Sequence, residues 1–256
     1  MSDKVKSRLM IAGVALCAAL FLFSGAMLAR EYLDQKQSAE AFDEVAELVK
    51  EDVELPTLEL ADDPVQEPEE LTAFEKYADV YAQNSDLVGW ISIPGTRIDS
   101  PVMQTKDNPN FYLKHAFDQS YSSYGVPYMQ ENCDIGISDN LVLYGHHMKN
   151  GSMFKDISRY KDQGYFDQHS EIILYTPERE IHLKALAAVC TSPDAIRRKT
   201  EFASGEEFAS YIQQMTAGAS ASAPVEGTIV RLYSFVTCSY EFNNARTILY
   251  AYEAAE

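Results

Sequence analysis

Cys238 and Arg246 are the pair of residues best suited, by type and spacing, to do chemistry in this chain. Cys238 ends a run rich in β-branched and aromatic residues that begins at Ile229, and Arg246 opens a second apolar run, Thr247 to Tyr252. Such residues suit a pleated, half-buried surface. Joined by the short polar turn Ser239 to Asn244, the two runs predict a hairpin with thiol and guanidinium near its rim. A fixed cation beside a thiol favours the thiolate, the nucleophilic form. A structural cysteine beside a surface arginine would satisfy the same pattern, since free cysteine is among the most buried residue types.

The other cysteines offer less. Cys17 lies inside a long apolar run, and Cys133 and Cys190 have neither a CxxC partner nor metal-ligand spacing. Neither a disulfide framework nor a zinc site is indicated, and no metal or other cofactor is expected. A Cys133–Cys190 bridge stays open on sequence alone.

A catalytic thiolate needs a proton partner, most often histidine. His182 alternates with apolar neighbours along a strand, His169 sits among polar residues, and His115 lies in an aromatic loop. His146 instead follows the apolar strand Leu141 to Tyr144 and one glycine, at a strand end where a rigid sheet can aim it. Glycine there lets the backbone turn sharply. His147 is adjacent, but neighbouring residues at a strand end point in different directions. Papain-like enzymes place Cys before His, the reverse of the order here. Chymotrypsin-like cysteine proteases share the order, but build their oxyanion hole on a glycine-rich turn. Val236-Thr-Cys-Ser-Tyr240 has no glycine, and Arg246 offers a substitute electrophile.

The elements that must hold these residues read as short strands: Leu87 to Ile93, Ile98 to Gln104, Gly125 to Met129, Asn140 to Tyr144, Glu171 to Thr176 and Glu180 to Cys190. Pro101 suits an edge or a bulge. Residues 107 to 124 read as loop with short helical turns. Ser152 is placed to cap a short helix carrying Phe154, Ile157 and Tyr160, and Ser204 a longer one with Phe208, Tyr211, Ile212 and Met215 on one face. Many short strands with few helices predict a β-barrel or sandwich with helical insertions.

Ahead of this domain the character of the chain changes. Leu9 to Ala29 is a run of 21 uncharged residues behind Lys4, Lys6 and Arg8. As a helix it would span ~30 Å, the thickness of a bilayer's hydrocarbon core. It exceeds the usual signal-peptide core of ~7–15 residues. An uncleaved single-pass anchor over 9–29 is expected, with residues 1–8 cytoplasmic and the remainder outside. Ala39, Phe42, Val45, Ala46 and Val49 recur at helical spacing, and residues 51–70 combine nine acidic residues with three prolines, so 30–70 reads as a juxtamembrane helix and an extended linker. A further amphipathic stripe, Leu71 to Tyr81, opens the domain of residues 71–256. The net charge of −18 argues against a nucleic-acid partner, which requires a basic surface.

The cysteine, histidine and arginine stand in a context that resembles the sortases, specifically class B. Sortases carry Thr-Leu-x-Thr-Cys at a strand end, which reads Ser234-Phe-Val-Thr-Cys238 here, with conservative departures at the first two positions. They carry Gly-His after a strand, here Tyr144-Gly-His146, and an arginine opening the strand after the cysteine, here Arg246. Val88-Gly-Trp-Ile-x-Ile-Pro-Gly95 adds to the match, as do Asp107-Asn-x-x-Phe-Tyr-Leu113 and Tyr144-Gly-His-His-Met-Lys-Asn-Gly-Ser-Met-Phe154. The resemblance covers residues 71 to 252. The last two stretches, the N-terminal helix and a helical insertion at 191–226 look like class B.

The resemblance implies a mostly-β fold: a closed sortase barrel with N-terminal helices and a helical insertion before the last two strands. It implies a membrane-anchored cysteine transpeptidase of Gram-positive bacteria. Cys238 would form a thioacyl intermediate, His146 would protonate the leaving amine, and Arg246 would hold the peptide or its oxyanion. Leu113, Tyr144 and Thr237 would contact the peptide. The partners implied are surface proteins with a C-terminal sorting signal and a peptidoglycan-precursor or pilin amine. Two other classes use the same residues differently: a membrane-tethered cysteine protease that hydrolyses its substrate, and a non-catalytic surface-binding β domain.

Overall fold

Alternation of buried and exposed residues sets the pattern of the strands. Along Glu180–Thr191, the first six residues alternate exposed and buried, as in a strand with one face on a core. The computed structural model describes residues 3–50, 78 and 80–255. It contains nine strands: β1 Leu87–Ser92, β2 Asp99–Met103, β3 Tyr128–Met129, β4 Asn140–Tyr144, β5 Glu171–Tyr175, β6 Glu180–Thr191, β7 Ala221–Ser222, β8 Ile229–Cys238 and β9 Arg246–Ala254. They form one sheet in the order β5-β1-β2-β3-β4-β8-β9-β6-β7, and a further β5–β6 pairing closes eight of them into a barrel, with β7 appended to β6. Closure gives each of those eight strands a partner on both sides, and the part of β6 beyond its pairing with β5 receives β7.

Ile91, Leu143, Phe154, Phe166, Tyr233, Phe235 and Leu249 belong to the central core, where each is fully buried. Two outer faces are covered as well. Helix α3, Gly205–Thr216, lays Tyr211 and Met215 over Leu232, Ile248 and Tyr250. Its N-cap is Ser204, whose side chain accepts from Glu207 N, as expected from the sequence. On the other side, Val80, Trp90, Met103, Tyr112 and Tyr128 form a second cluster.

Helix α1 runs Asp3–Lys50 and so includes the expected juxtamembrane stripe. Within it, Met10–Gln37 is long and apolar enough to cross a membrane. The linker expected over 51–70 and most of the stripe at 71–81 lie outside the described residues; residues 78 and 80–83 are helical.

Several local expectations change. Gly125 to Met129 is a strand only at its last two residues, because Gly125 sits at φ +57 with its α-carbon against the carbonyls of Tyr112 and Leu113. Ser152 does not cap the helical stretch Phe154–Lys161, which is a 3-10 helix beginning after Met153; the Ser152 hydroxyl donates to Asn150 Oδ1 at 2.8 Å instead. Two short helices add to these: α2, Gln163–Gln168, capped by Asp162, and, within the helical insertion expected at 191–226, a 3-10 turn, Ala195–Arg198, capped by Asp194. Pro101 lies opposite Trp90 of β1, while β3 reaches β2 only at Met103, so proline interrupts no ladder on that side.

Candidate active site

Register brings the predicted residues together. β8 and β9 are antiparallel with Cys238 opposite Arg246, so thiol and guanidinium leave the same end of one hairpin. β4 runs parallel to β8 with Tyr144 opposite Val236, and Gly145 N continues the ladder by donating to Val236 O at 3.1 Å. His146 therefore lies one residue beyond that ladder, beside the end of β8.

Gly145 is required for a reason different from the one its sequence suggests. Its φ is not positive, so no sharp turn demands glycine. An added Cβ would instead lie 2.4 Å from Cγ of Phe154. The Phe154 ring, fully buried and edge-on to Phe235 at 6.1 Å, fills the space beneath the residue before His146. Thr237 fastens the same point: its hydroxyl donates to Gly145 O at 2.8 Å.

The imidazole of His146 is oriented from the opposite wall. Nε2 lies 2.7 Å from the Leu113 carbonyl. A carbonyl only accepts, so Nε2 carries the proton and, in a neutral ring, Nδ1 is the basic nitrogen. Leu113 ends the 3-10 turn Phe111–Leu113, which the close approach of Gly125 holds in place. His147 faces elsewhere: Nδ1 donates to the Cys238 carbonyl at 2.9 Å, and its ring meets Tyr240 edge-on at 5.0 Å.

Arg246 is half-buried, and its Nη1 donates to the carbonyls of Ala245 at 3.0 Å and Asn244 at 3.3 Å. Its own turn thus holds one arm of the fork. Among the described residues, neither Nε nor Nη2 makes a hydrogen bond, which leaves the other edge for a ligand. The thiols of Cys133 and Cys190 are free and separate, so no bridge joins them. Burial pushes the Cys133 thiol up to about 11, which makes it unreactive at neutral pH.

A cleft of about 670 Å³ lies over these groups. Cys238, His146, Arg246, Leu113, Tyr144 and Thr237 all line it, and His147 does not. Its floor is the outer face of β4, β8 and β9, and its far wall is the turn Ala195–Arg198 of the insertion. Lining residues that the sequence reading missed include Asn110, Tyr128, Arg197 and Arg198. Asp194, two residues before Ile196, was a legible capping signal for that wall. Nothing local marks Arg198 as a cleft residue. Burial raises the Tyr144 phenol, so it remains a neutral donor, to Gln130 Oε1 at 2.8 Å.

A closed barrel with a thiol, an imidazole and a guanidinium at one strand-end cleft defines a class, and comparison with known proteins agrees. The sortase domain family model matches residues 91–254, and the chain belongs to the sortase family. Among curated proteins, it is 27% identical over 215 residues to sortase B of Listeria monocytogenes, covering 83% of this chain and 82% of that one. Sortase B of Staphylococcus aureus is 25% identical over 172 residues, covering 66% and 70%. Among solved structures, Clostridium perfringens sortase B superposes with a TM-score of 0.65 at 27% identity, over 70% of this chain and 99% of that one. The Staphylococcus aureus sortase B–substrate complex shares the fold with a TM-score of 0.73 at 21% identity, over 86% and 97%. The chain is therefore a sortase transpeptidase, similar to the B class.

Proposed function

We propose that the chain cleaves a sorting-signal peptide through a thioacyl enzyme on Cys238 and passes the acyl group to an amine. His146 Nδ1 takes the proton of the Cys238 thiol and Sγ attacks the scissile carbonyl; a C–S bond forms, and the C–N bond breaks as His146 gives that proton to the departing amine. An incoming amine then attacks the thioester; the C–N bond forms, the C–S bond breaks, and His146 takes the proton back. The Leu113 carbonyl keeps Nε2–H occupied, so Nδ1 exchanges the proton, the role of an oriented acid–base residue. Arg246 presents its free edge to the oxyanion.

The observation that carries this reading is the register: Cys238 opposite Arg246 on one hairpin, with His146 closing a parallel strand beside it. Substrates of this kind are surface proteins with a C-terminal sorting signal, and the acceptor is a peptidoglycan-precursor or pilin amine. The apolar helix fits a single-pass anchor, with the N-terminus cytoplasmic and residues 71–256 as an extracytoplasmic catalytic domain. Incubating the full-length chain in detergent with a peptide library and an amine tests the function. Ligated peptide is expected to exceed hydrolysed peptide. Hydrolysis alone would favour a tethered protease, and no turnover a binding domain.

A further inference from the structure

Gln130 lies just after β3 and is 1% exposed. A buried amide needs partners for two N–H groups and an oxygen, or it costs free energy. Gln130 has four. Its Oε1 accepts from the Tyr144 hydroxyl at 2.8 Å and from Arg198 Nε at 2.9 Å. Its Nε2 donates to the Arg198 carbonyl at 2.9 Å and to the Asn132 side chain. Tyr144 belongs to the floor of the cleft and Arg198 to its wall, and Gln130 joins the two from behind without lining the cleft itself.

The amide is held as firmly as it holds. Gln130 N donates to Val142 O at 2.8 Å, and its carbonyl accepts from Gln104 Nε2 at 2.7 Å. The wall has further ties on the same side: Arg198 Nη2 to Glu131 at 2.9 Å, and Asn140 Nδ2 to the Lys199 carbonyl at 2.8 Å. Its far side is tied by Arg197, whose Nη1 donates to Tyr250 Oη at 2.6 Å and to Met215 O at 3.0 Å. Gln130 joins Arg198 of the wall to Tyr144 of the floor through one side chain.

We infer that Gln130 is a positioning residue that fixes the spacing between the Ala195–Arg198 wall and Tyr144, and so sets how tightly the acyl-donor peptide is gripped. This rests on reading the cleft as the donor groove. Removing the amide leaves Tyr144 Oη, Arg198 Nε and the Arg198 carbonyl without that partner, while Cys238, His146 and Arg246 keep every contact described above. The loss therefore falls on KM rather than kcat.

The test uses the full-length chain carrying Gln130→Leu, Gln130→Glu, Arg198→Met or the Leu/Met pair. Gln130→Leu is expected to raise KM for a ligated peptide about tenfold, with kcat within about threefold of wild type. Gln130→Glu keeps the acceptor but loses both donors, and should fall between. Because Arg198 shares the brace, Arg198→Met should add little in the Gln130→Leu background. A wild-type KM in Gln130→Leu, an equal fall in kcat and kcat/KM, or fully multiplicative effects would each overturn the inference. Should Gln130→Leu fail to fold, Gln130→Glu and Arg198→Met carry the same KM test. Amide hydrogen exchange supplies an activity-independent reading: residues 191–200 should exchange faster in Gln130→Leu, or in Gln130→Glu if the Leu variant is lost, and unchanged exchange refutes the brace. Failure of the transferase reading is distinct, since it shows as a wild-type chain that never acylates.

Discussion

Gly145→Ala adds a single methyl group and ought to disable the site. The new carbon would meet Phe154 at 2.4, 2.7 and 2.9 Å from Cγ, Cδ2 and Cβ. Carbon atoms rest about 3.5–4.0 Å apart, so the nearest overlap is on the order of 1 Å. The ring has no exposed side toward which to swing, because Phe154 is fully buried against the core. Overpacking of this kind costs roughly 1–3 kcal/mol. Part of the strain must be relieved by the backbone, which moves the next residue, His146. A misplacement near 1 Å can lower a rate by about 10²-fold. Two assays separate the effects: a thermal melt, and the rate of acyl-enzyme formation by intact mass. The melt should fall by several degrees and acylation by about tenfold to a hundredfold. Wild-type melting and acylation in Gly145→Ala would refute the packing argument.

Other expectations concern the reacting groups. His146→Ala should lower turnover by ~10²–10⁴-fold, whereas His147→Ala, which loses a bond to the Cys238 carbonyl, should cost less than tenfold or so. Steady-state rates on the two variants check the assignment, and the reverse order would move the acid–base role to His147. Arg246→Lys should lower peptide turnover by ~10²–10³-fold, because a point charge lacks the planar fork, while alkylation of Cys238 by a small reagent continues. Unchanged turnover would remove Arg246 from the site. Cys133 gives a pH prediction. Burial raises its folded pKa from 9.0 to about 11, so its thiol form contributes stability that is whole below pH 9 and is lost as pH rises through about 11. Denaturant midpoints should fall across that window, and less so in Cys133→Ala. Iodoacetamide at neutral pH should label Cys238 and spare Cys133 in the folded chain.

Much of this site could be read from the chain because its parts are local. The strand ending in Cys238 and the one opening at Arg246 are continuous apolar runs, and a short polar turn fixes their register. The strand before His146 is equally plain, with the same bounds in sequence and structure. What escaped depends on contacts distant in sequence. Gly145 was read as a turn residue, yet the ring that requires it is nine residues on, at the start of a 3-10 helix. Gln130 carries no pattern at all, since its partners Tyr144 and Arg198 lie 14 and 68 residues away. The helices α2 and Ala195–Arg198 are too short for helical periodicity, though their capping aspartates were visible. β7 is two residues long and exists because β6 offers it an edge beyond β9.

Covalent capture at Cys238 tests the central claim most directly. The full-length chain would be mixed with a ligated peptide, without an acceptor amine, quenched in acid, digested and mapped by mass. A thioester to the N-terminal fragment of the peptide is expected on the segment carrying Cys238, and it should disappear, with ligated product, when the amine is added before quenching. Ligation that persists in Cys238→Ala, or an acyl group found on any other residue, would contradict the mechanism.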